Sequence, residues 1–322
     1  FEIAWFMQMP EVSVKTLPHK SKILMKKFNN IALLILVTAV IHSFYFSGCQ
    51  QPQQEEVIPP PVFDPTRIFS KTAGSNVSDL VTGVVQSYDG GVVICGYTIA
   101  SSFGDNDIFI TKLDDSGKVV WSNLYGGSGN DQATSIAKTS DGFIIAGHTT
   151  SFAATGFNPF TLKIDNSGAI QWSKYYPWWN EDYAGNIVQT SDASYIMTGF
   201  SNSQTIGGHD VYALKLDASG SIMWVRFYGG TANDFGNAIQ ETGDQGYIIG
   251  GSTFSFGNLG DGYVIKIFGD GGYNWSKTYG GIGPDNIKDL QKSSNGYIAC
   301  GSTISFGLIV TDAYVLNFDN NG

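Results

Sequence analysis

Four consecutive residues, Trp178, Trp179, Asn180 and Glu181, are the part of this chain best equipped to touch a ligand. Paired indoles offer flat apolar faces that stack on a sugar ring or anchor a protein partner, and the neighbouring amide and carboxylate supply hydrogen bonds. They stand in a segment that breaks a pattern. Corresponding segments read YGGSGND (125–131), YGGTAND (228–234) and YGGIGPD (279–285), whereas this one reads YPWWNED (176–182). The plainer alternative for the two indoles is extra local packing. The stretch Thr155-Gly156-Phe157-Asn158-Pro159 departs from its counterparts as well.

Acidic residues recur at a regular spacing. Asp79, Asp131, Asp182, Asp234 and Asp285 hold one position in five successive segments. A residue needed in every segment solves a problem of every segment, here the capping of a turn by carboxylate-to-amide hydrogen bonds. A second row reads Asp107, Asn158, Asp210, Asp261 and Asp312, and five residues further on stand Lys112, Lys163, Lys215, Lys266 and Asn317. These lysines lie within apolar stretches, where an ammonium group needs a partner; an aspartate of one of the two rows is the expected one. Gly104-Asp105-Asn106-Asp107 offers the oxygen ligands calcium prefers, but the EF-hand spacing is missing and no metal is assigned. Cys95 and Cys300 share a position filled by Ala146, Thr198 and Gly250 in the other segments. That position wants a small side chain, so the two read as buried thiols and not as a disulfide. His148 and His209 stand alone and read as ordinary loop residues. The sequence shows no Ser/His/Asp triad, zinc cluster or phosphate-binding loop, so no catalytic residue and no cofactor are assigned.

What must position these groups is a repeat. Trp121, Trp172, Trp224 and Trp275 are followed four residues later by Tyr125, Tyr176, Tyr228 and Tyr279, and then by the first row of aspartates. A degraded copy upstream carries Phe69, Ala73 and Asp79 in the same register. Each unit offers four stretches of five to eight residues rich in Val, Ile, Tyr, Phe and Thr, bounded by Gly, Asp, Asn and Ser. Asp-Gly and Asn-Ser-Gly at the joints are hairpin turns. No stretch keeps a 3.6-residue period, so almost no helix is expected after residue 49. A four-stranded antiparallel sheet cannot bury both faces alone, but identical sheets stacked around an axis bury each other. The expected fold is therefore all-β, a β-propeller of four-stranded antiparallel blades with five repeats over residues 67–322; a parallel β-helix, with shorter coils, is the competitor. The phase of the repeat leaves two readings open. Ile68–Thr72 can complete the last blade beside Asp312–Phe318 and close a five-bladed ring, or the repeats belong to a larger propeller of six to eight blades.

The remaining chain reads as an address. Residues 1–24 lack periodicity and read as a non-native upstream segment, with Met25 as the start. Residues 25–49 carry Lys26 and Lys27, an apolar run from Ile31 to Phe46, and Ser47-Gly48-Cys49, the form of a lipoprotein signal in which Cys49 is lipidated. The alternative is an uncleaved anchor helix. Residues 50–66, rich in Pro, Gln and Glu, form an extended tether. Either way the repeats are expected outside the cytoplasm, at the cell envelope, membrane-anchored through the lipid. The formal net charge of −10 opposes any phosphate backbone, which excludes nucleic acid as a partner.

The string KLDASGSIMWVRFYGG (215–230), with DGFIIAG (141–147) and its counterparts, resembles the repeat of exported bacterial and archaeal propeller proteins. It is also similar to the delta-60-type repeat and, more distantly, to PQQ-type propeller repeats, in which Trp docks one blade on the next. The resemblance implies the architecture and little about activity; the vicinal cysteines often found in PQQ enzymes have no match in Cys95 and Cys300. Two functions compete. One is a non-catalytic binding or scaffold propeller with an unknown protein or glycan partner. The other is a carbohydrate-binding module or glycan-active hydrolase using the Trp178/Trp179 loop.

Overall fold

The computed structural model describes residues 78–99, 105–152, 156–177, 181–203, 207–257, 259–306 and 310–322. Cys49, the leader and tether, Phe69 with its strand, and Trp178, Trp179 and Asn180 lie outside the described residues.

The described residues form strands and no helix. They fold as five antiparallel sheets in which each strand pairs with the next. The first holds β1 (Asp79–Gln86), β2 (Val92–Thr98), β3 (Asp107–Leu113) and β4 (Val119–Tyr125). The second holds β5 (Asp131–Thr139), β6 (Gly142–Thr149), β7 (Asn158–Asp165) and β8 (Ile170–Tyr175). The third holds β9 (Asp182–Gln189), β10 (Tyr195–Ser201), β11 (Asp210–Leu216) and β12 (Ile222–Tyr228). The fourth holds β13 (Asp234–Glu241), β14 (Tyr247–Thr253), β15 (Asp261–Ile267) and β16 (Tyr273–Tyr279), and the fifth β17 (Asp285–Ser293), β18 (Gly296–Thr303) and β19 (Asp312–Phe318). The third strands β3, β7, β11 and β15 are buried almost end to end, whereas the fourth strands are mostly exposed. Burial on both faces explains why the third strands read as apolar runs without alternation.

Four apolar clusters join successive sheets. Cys95 and Ile110 of the first sheet meet Ile136, Phe143 and Leu162 of the second. Ile144 and Ala146 meet Ile187, Met197 and Leu214 of the third, and Ile196 and Ala213 meet Ile249 and Ile265 of the fourth. Ile248 and Val264 meet Leu290, Tyr297 and Ala299 of the fifth. Trp172 meets Tyr195 edge-on at 5.8 Å, and Trp224 meets Tyr247 at 6.1 Å. The turn between the third and fourth strands completes the joint. Gly168, Gly220 and Gly271 have φ of +83°, +78° and +81°, and a Cβ on any of them would press on the Trp ring of the preceding sheet. The hydroxyls of Tyr125, Tyr176 and Tyr228 donate to the carbonyls of these same glycines at 2.7, 3.0 and 2.7 Å. Trp, Tyr and turn Gly thus form one inter-sheet joint.

Two expectations are corrected. The lysines do not take their closest partners from either acidic row. Lys112, Lys163, Lys215 and Lys266 reach Asp89, Asp141, Asp192 and Asp244 at 2.7, 2.7, 3.3 and 3.0 Å, the aspartates of the hairpins between the first two strands of each sheet. Each lysine sits near the end of its strand where that hairpin turns, while both rows lie at the opposite end. Cys95 is buried but Cys300 is exposed. Cys300 points to the outer face of the fifth sheet, which no further sheet covers among the described residues. Burial pushes the Cys95 thiol up to about 12.

Candidate functional site

Antiparallel order gives each sheet two unlike ends. Hairpins between strands one and two, and three and four, gather at the turn end. Loops between strands two and three, and the crossings to the next sheet, gather at the loop end.

The turn end is acidic. It holds Asp89, Asp114, Asp115, Asp141, Asp165, Asp192, Asp217, Asp244, Asp270 and Asp319. Several serve the turns themselves: Oδ1 of Asp217 accepts from the amides of Ser219 and Ser221 at 2.8 and 2.9 Å, and Asp114 and Asp165 repeat the pattern. Hydrogen bonds from the adjacent serines, helped by these amides, hold the three carboxyls below the usual range.

The loops of the other end carry little charge themselves, although the strands that bound them begin on the two acidic rows. Its nine segments, 99–106, 126–130, 150–157, 176–181, 202–209, 229–233, 254–260, 280–284 and 304–311, contain no Lys or Arg and only two acids, Asp105 and Glu181. The first acidic row fixes these loops from beneath. Oδ2 of Asp131 accepts from the Gly127 amide at 2.8 Å and from Ser151 Oγ at 2.5 Å. Asp234 does the same with Gly230 and Ser255, at 2.8 and 2.6 Å, and Asp285 with Gly281 and Ser305, at 3.0 and 2.6 Å. The amides of Asp131, Asp182, Asp234 and Asp285 donate to the carbonyls of Asn106, Phe157, His209 and Gly260 in the preceding sheet. One residue type therefore ties together the crossing, its own sheet's loop and the loop before it.

The second acidic row lies beside the first. A Cβ on Gly229 would stand 2.0 Å from Asp210 Oδ1 and 2.7 Å from Asp234 Oδ2, and Gly126 and Gly280 are equally confined by Asp107 with Asp131 and Asp261 with Asp285. These carboxylates are buried, which demands the first Gly of each Tyr-Gly-Gly. The exception is instructive. Where Pro177 replaces that Gly, the second-row residue is Asn158, whose Nδ2 donates to the Gly156 carbonyl at 3.3 Å. The departures at 155–159 and 176–182 are thus two sides of one crossing. Among the described residues no group of three His, Cys, Asp or Glu side chains is placed to hold a metal.

An aromatic strip runs along the loop end of the second to fourth sheets. His148 meets Phe157 at 5.2 Å and Tyr183 at 5.0 Å; Tyr183 stacks on Phe200 at 4.9 Å. Phe200 continues edge-on to His209 at 5.4 Å and Phe235 at 4.9 Å, and Phe235 to Phe254 at 6.3 Å. Seven rings form an unbroken path, most of them half-buried. Edge-to-face and offset contacts at these distances suit the ring quadrupoles and fix the strip in place. His148 belongs to β6 and not to a loop, while His209 immediately precedes β11. Burial pushes the His148 imidazole down to about 4, so it is neutral at pH 7. His148 Nδ1 and His209 Nε2 are buried without a hydrogen-bond partner.

Of the four residues singled out in the sequence, the structure describes Glu181. It is exposed, its amide donates to Asn202 Oδ1 at 3.2 Å, and it immediately precedes the strip. The Tyr183 phenol is raised by burial and by the Glu181 charge. The strip itself was not singled out. Its signal was positional: the residue after the first-row Asp reads Leu80, Gln132, Tyr183, Phe235 and Asn286, aromatic in only two of five units.

No protein-family model and no curated sequence matches the chain. Similar solved structures include a protein of unknown function from Bacteroides caccae, with a TM-score of 0.44 and 13% identity, covering 71% of this chain and 70% of that one. An ACO/RPE65 chimera matches with a TM-score of 0.45 and 11% identity over 74% of this chain. Cobalt-substituted ACO from Synechocystis matches with 0.43 and 10% over 70%. The chain spans 59% and 56% of these last two proteins. At such values none of the three bears on what the chain does.

Proposed function

We propose that this chain is a non-catalytic binding or scaffold propeller of the cell envelope, anchored as a lipoprotein through Cys49, which makes its contacts through the loop end. The observation that carries the contact face is the aromatic strip, an unbroken path of rings along the loop end of three successive sheets. Repeat-wide carboxylates serve the turns and crossings, so the scaffold accounts for them without a reaction. The anchor is tested by expressing the full chain in a bacterial host fed a labelled fatty acid. Wild type should carry label and pellet with membranes, and Cys49→Ser should lose the label; equal labelling of both refutes the anchor.

A second reading is glycan recognition, favoured by one observation: the Trp178/Trp179 loop leads directly into Tyr183, whose ring stacks on Phe200. A glycan array probed with the full chain should then show binding that Trp178→Ala and Trp179→Ala abolish. Silence of the wild-type chain on every glycan rejects this reading.

A further inference from the structure

At the turn end the chain seats its own cations on its own rings. Lys138 Nζ lies 3.7 Å from the centre of the Tyr88 ring, and Lys215 Nζ 5.3 Å from that of Tyr247. The face of an aromatic ring is negative and attracts an ammonium or guanidinium group. The loop end has the longer run of rings, the strip from His148 to Phe254, but its nine loops hold no Lys or Arg to place on them. The strip also stands among carboxylates. Tyr183, His209 and Phe235 adjoin Asp182, Asp210 and Asp234 in the chain, and all three aspartates are buried. The charge of these groups reaches their surroundings. Burial raises the Tyr212 phenol and Asp182 raises it further; burial raises that of Tyr263, and Asp234 and Asp210 add to it.

We infer that the strip receives cationic side chains, the guanidinium groups of an arginine-bearing segment of a protein partner. Three observations select this occupant. First, the charge is complementary: both acidic rows border the loop end and no base in its loops offsets them, so the field over the rings is negative and poorly screened. Second, the first-row carboxylates are already engaged by the serine hydroxyls of the loops. They attract a cation from a distance and leave the rings, with the exposed carboxylate of Glu181 beside Tyr183, to touch it. Third, large apolar side chains flank the strip in the fourth and fifth sheets, where Leu259 is 72% exposed and Ile282 83%. Arginine among apolar residues is the composition of a protein interface core. A neutral sugar would gain nothing from the carboxylates, and an acidic one would be repelled. A guanidinium, planar and weakly hydrated, suits half-buried rings better than an ammonium. The inference rests on the strip being the contact face proposed above.

The experiment measures the fluorescence anisotropy of labelled peptides titrated with the full chain at about 0.15 M salt, where a Debye length of about 8 Å suppresses general attraction to an acidic protein. One peptide alternates Arg with Leu, and a second carries neutral citrulline in place of each Arg. The Arg peptide should bind about tenfold more tightly than the citrulline peptide. Phe235→Leu with Phe254→Leu, which removes two rings and keeps their apolar character, should weaken it about fivefold, and Glu181→Gln about twofold. Phe254 is 51% exposed, so Phe254→Leu alone tests a ring without disturbing the core. At the turn end, Asp115→Asn with Asp270→Asn should leave binding unchanged. Equal binding of both peptides, lost with the two rings, overturns the inference while keeping the strip as the contact face. Binding of the Arg peptide that the ring changes leave intact, or no binding of it at all, also overturns the inference. Failure of the contact face itself is read separately, when the ring changes alter the binding of neither peptide nor of any glycan on the array.

Discussion

Each buried lysine of the third strands meets an aspartate that is more than half exposed: Lys266 is 6% exposed at its side chain and Asp244 57%. Burial acts to raise the Asp244 carboxyl, but hydrogen bonds from Thr242 and Lys266 outweigh it and hold the group at about 2. Asp89, bonded by Lys112 and then Ser87, also stands at about 2. A carboxyl held below its unfolded value of about 3.9 contributes stability above that pH and loses it as pH falls toward the folded value. Acid unfolding between about pH 4 and pH 2 should therefore be steep, with water around the aspartates limiting the gain from each pair. The fifth sheet supplies its own control, since Asn317 stands in the lysine position and Asn295 in the aspartate position. Asp244→Asn alone strands a buried ammonium and should cost about 1–3 kcal/mol. Asp244→Asn with Lys266→Asn should cost less than the two single changes summed, as measured by urea unfolding at pH 7. Additive losses would mean that the pair is not coupled.

At the scale of the element, the turn glycines separate two demands that sequence inspection merges. Gly90 and Gly220 both have positive φ, +88° and +78°, but a Cβ on Gly90 meets nothing within 4 Å, whereas one on Gly220 comes 2.6 Å from Cζ3 of Trp172. Gly90→Ala should cost only backbone strain, about 1 kcal/mol. Gly220→Ala should cost that and the displacement of the Trp ring, about 2–4 kcal/mol in all, read from denaturant midpoints at constant slope. The strands and the antiparallel order were legible because apolar runs and Gly-bounded turns are local signals. The Trp, Tyr and first Asp rows were legible as scaffold because they repeat. The lysine partner was not, because choosing among three acidic rows requires knowing which end of the strand the side chain reaches. The strip was hidden for another reason. Its rings come from the starts of inner strands, the ends of second strands and the loops between, so His148, Tyr183, Phe200 and Phe235 are neighbours only after three sheets are stacked.

The whole molecule turns on what lies beyond β19. Val315 is 65% exposed, whereas its counterparts Ile110, Thr161, Ala213 and Val264 are fully buried; Ile298 is 45% exposed against none for Ile144, Ile196 and Ile248. The fifth sheet has the side chains of an inner sheet and, among the described residues, neither a fourth strand nor a covering sheet. Residues 68–73 read IFSKTA, and the fourth strand of the fourth sheet reads NWSKTY over 274–279. In that sheet Lys266 pairs with Trp275 and Val264 with Lys277. Transferred to β19, the same register sets Asn317 opposite Phe69 and Val315 opposite Lys71. A ring closed in this way joins the two ends of the repeat array by backbone hydrogen bonds and covers an exposed apolar edge, which otherwise invites pairing with another chain. Lys71→Cys with Val315→Cys, in a Cys300→Ala background because Cys300 pairs across from Val315, should oxidise to an intramolecular disulfide. Lys71→Cys with Leu316→Cys, out of register by one residue and on the opposite face, should not. A cross-linked dimer would mean that copies exchange these strands. No cross-link in either variant would remove residues 68–72 as the missing strand and leave the fifth sheet to be covered by further blades.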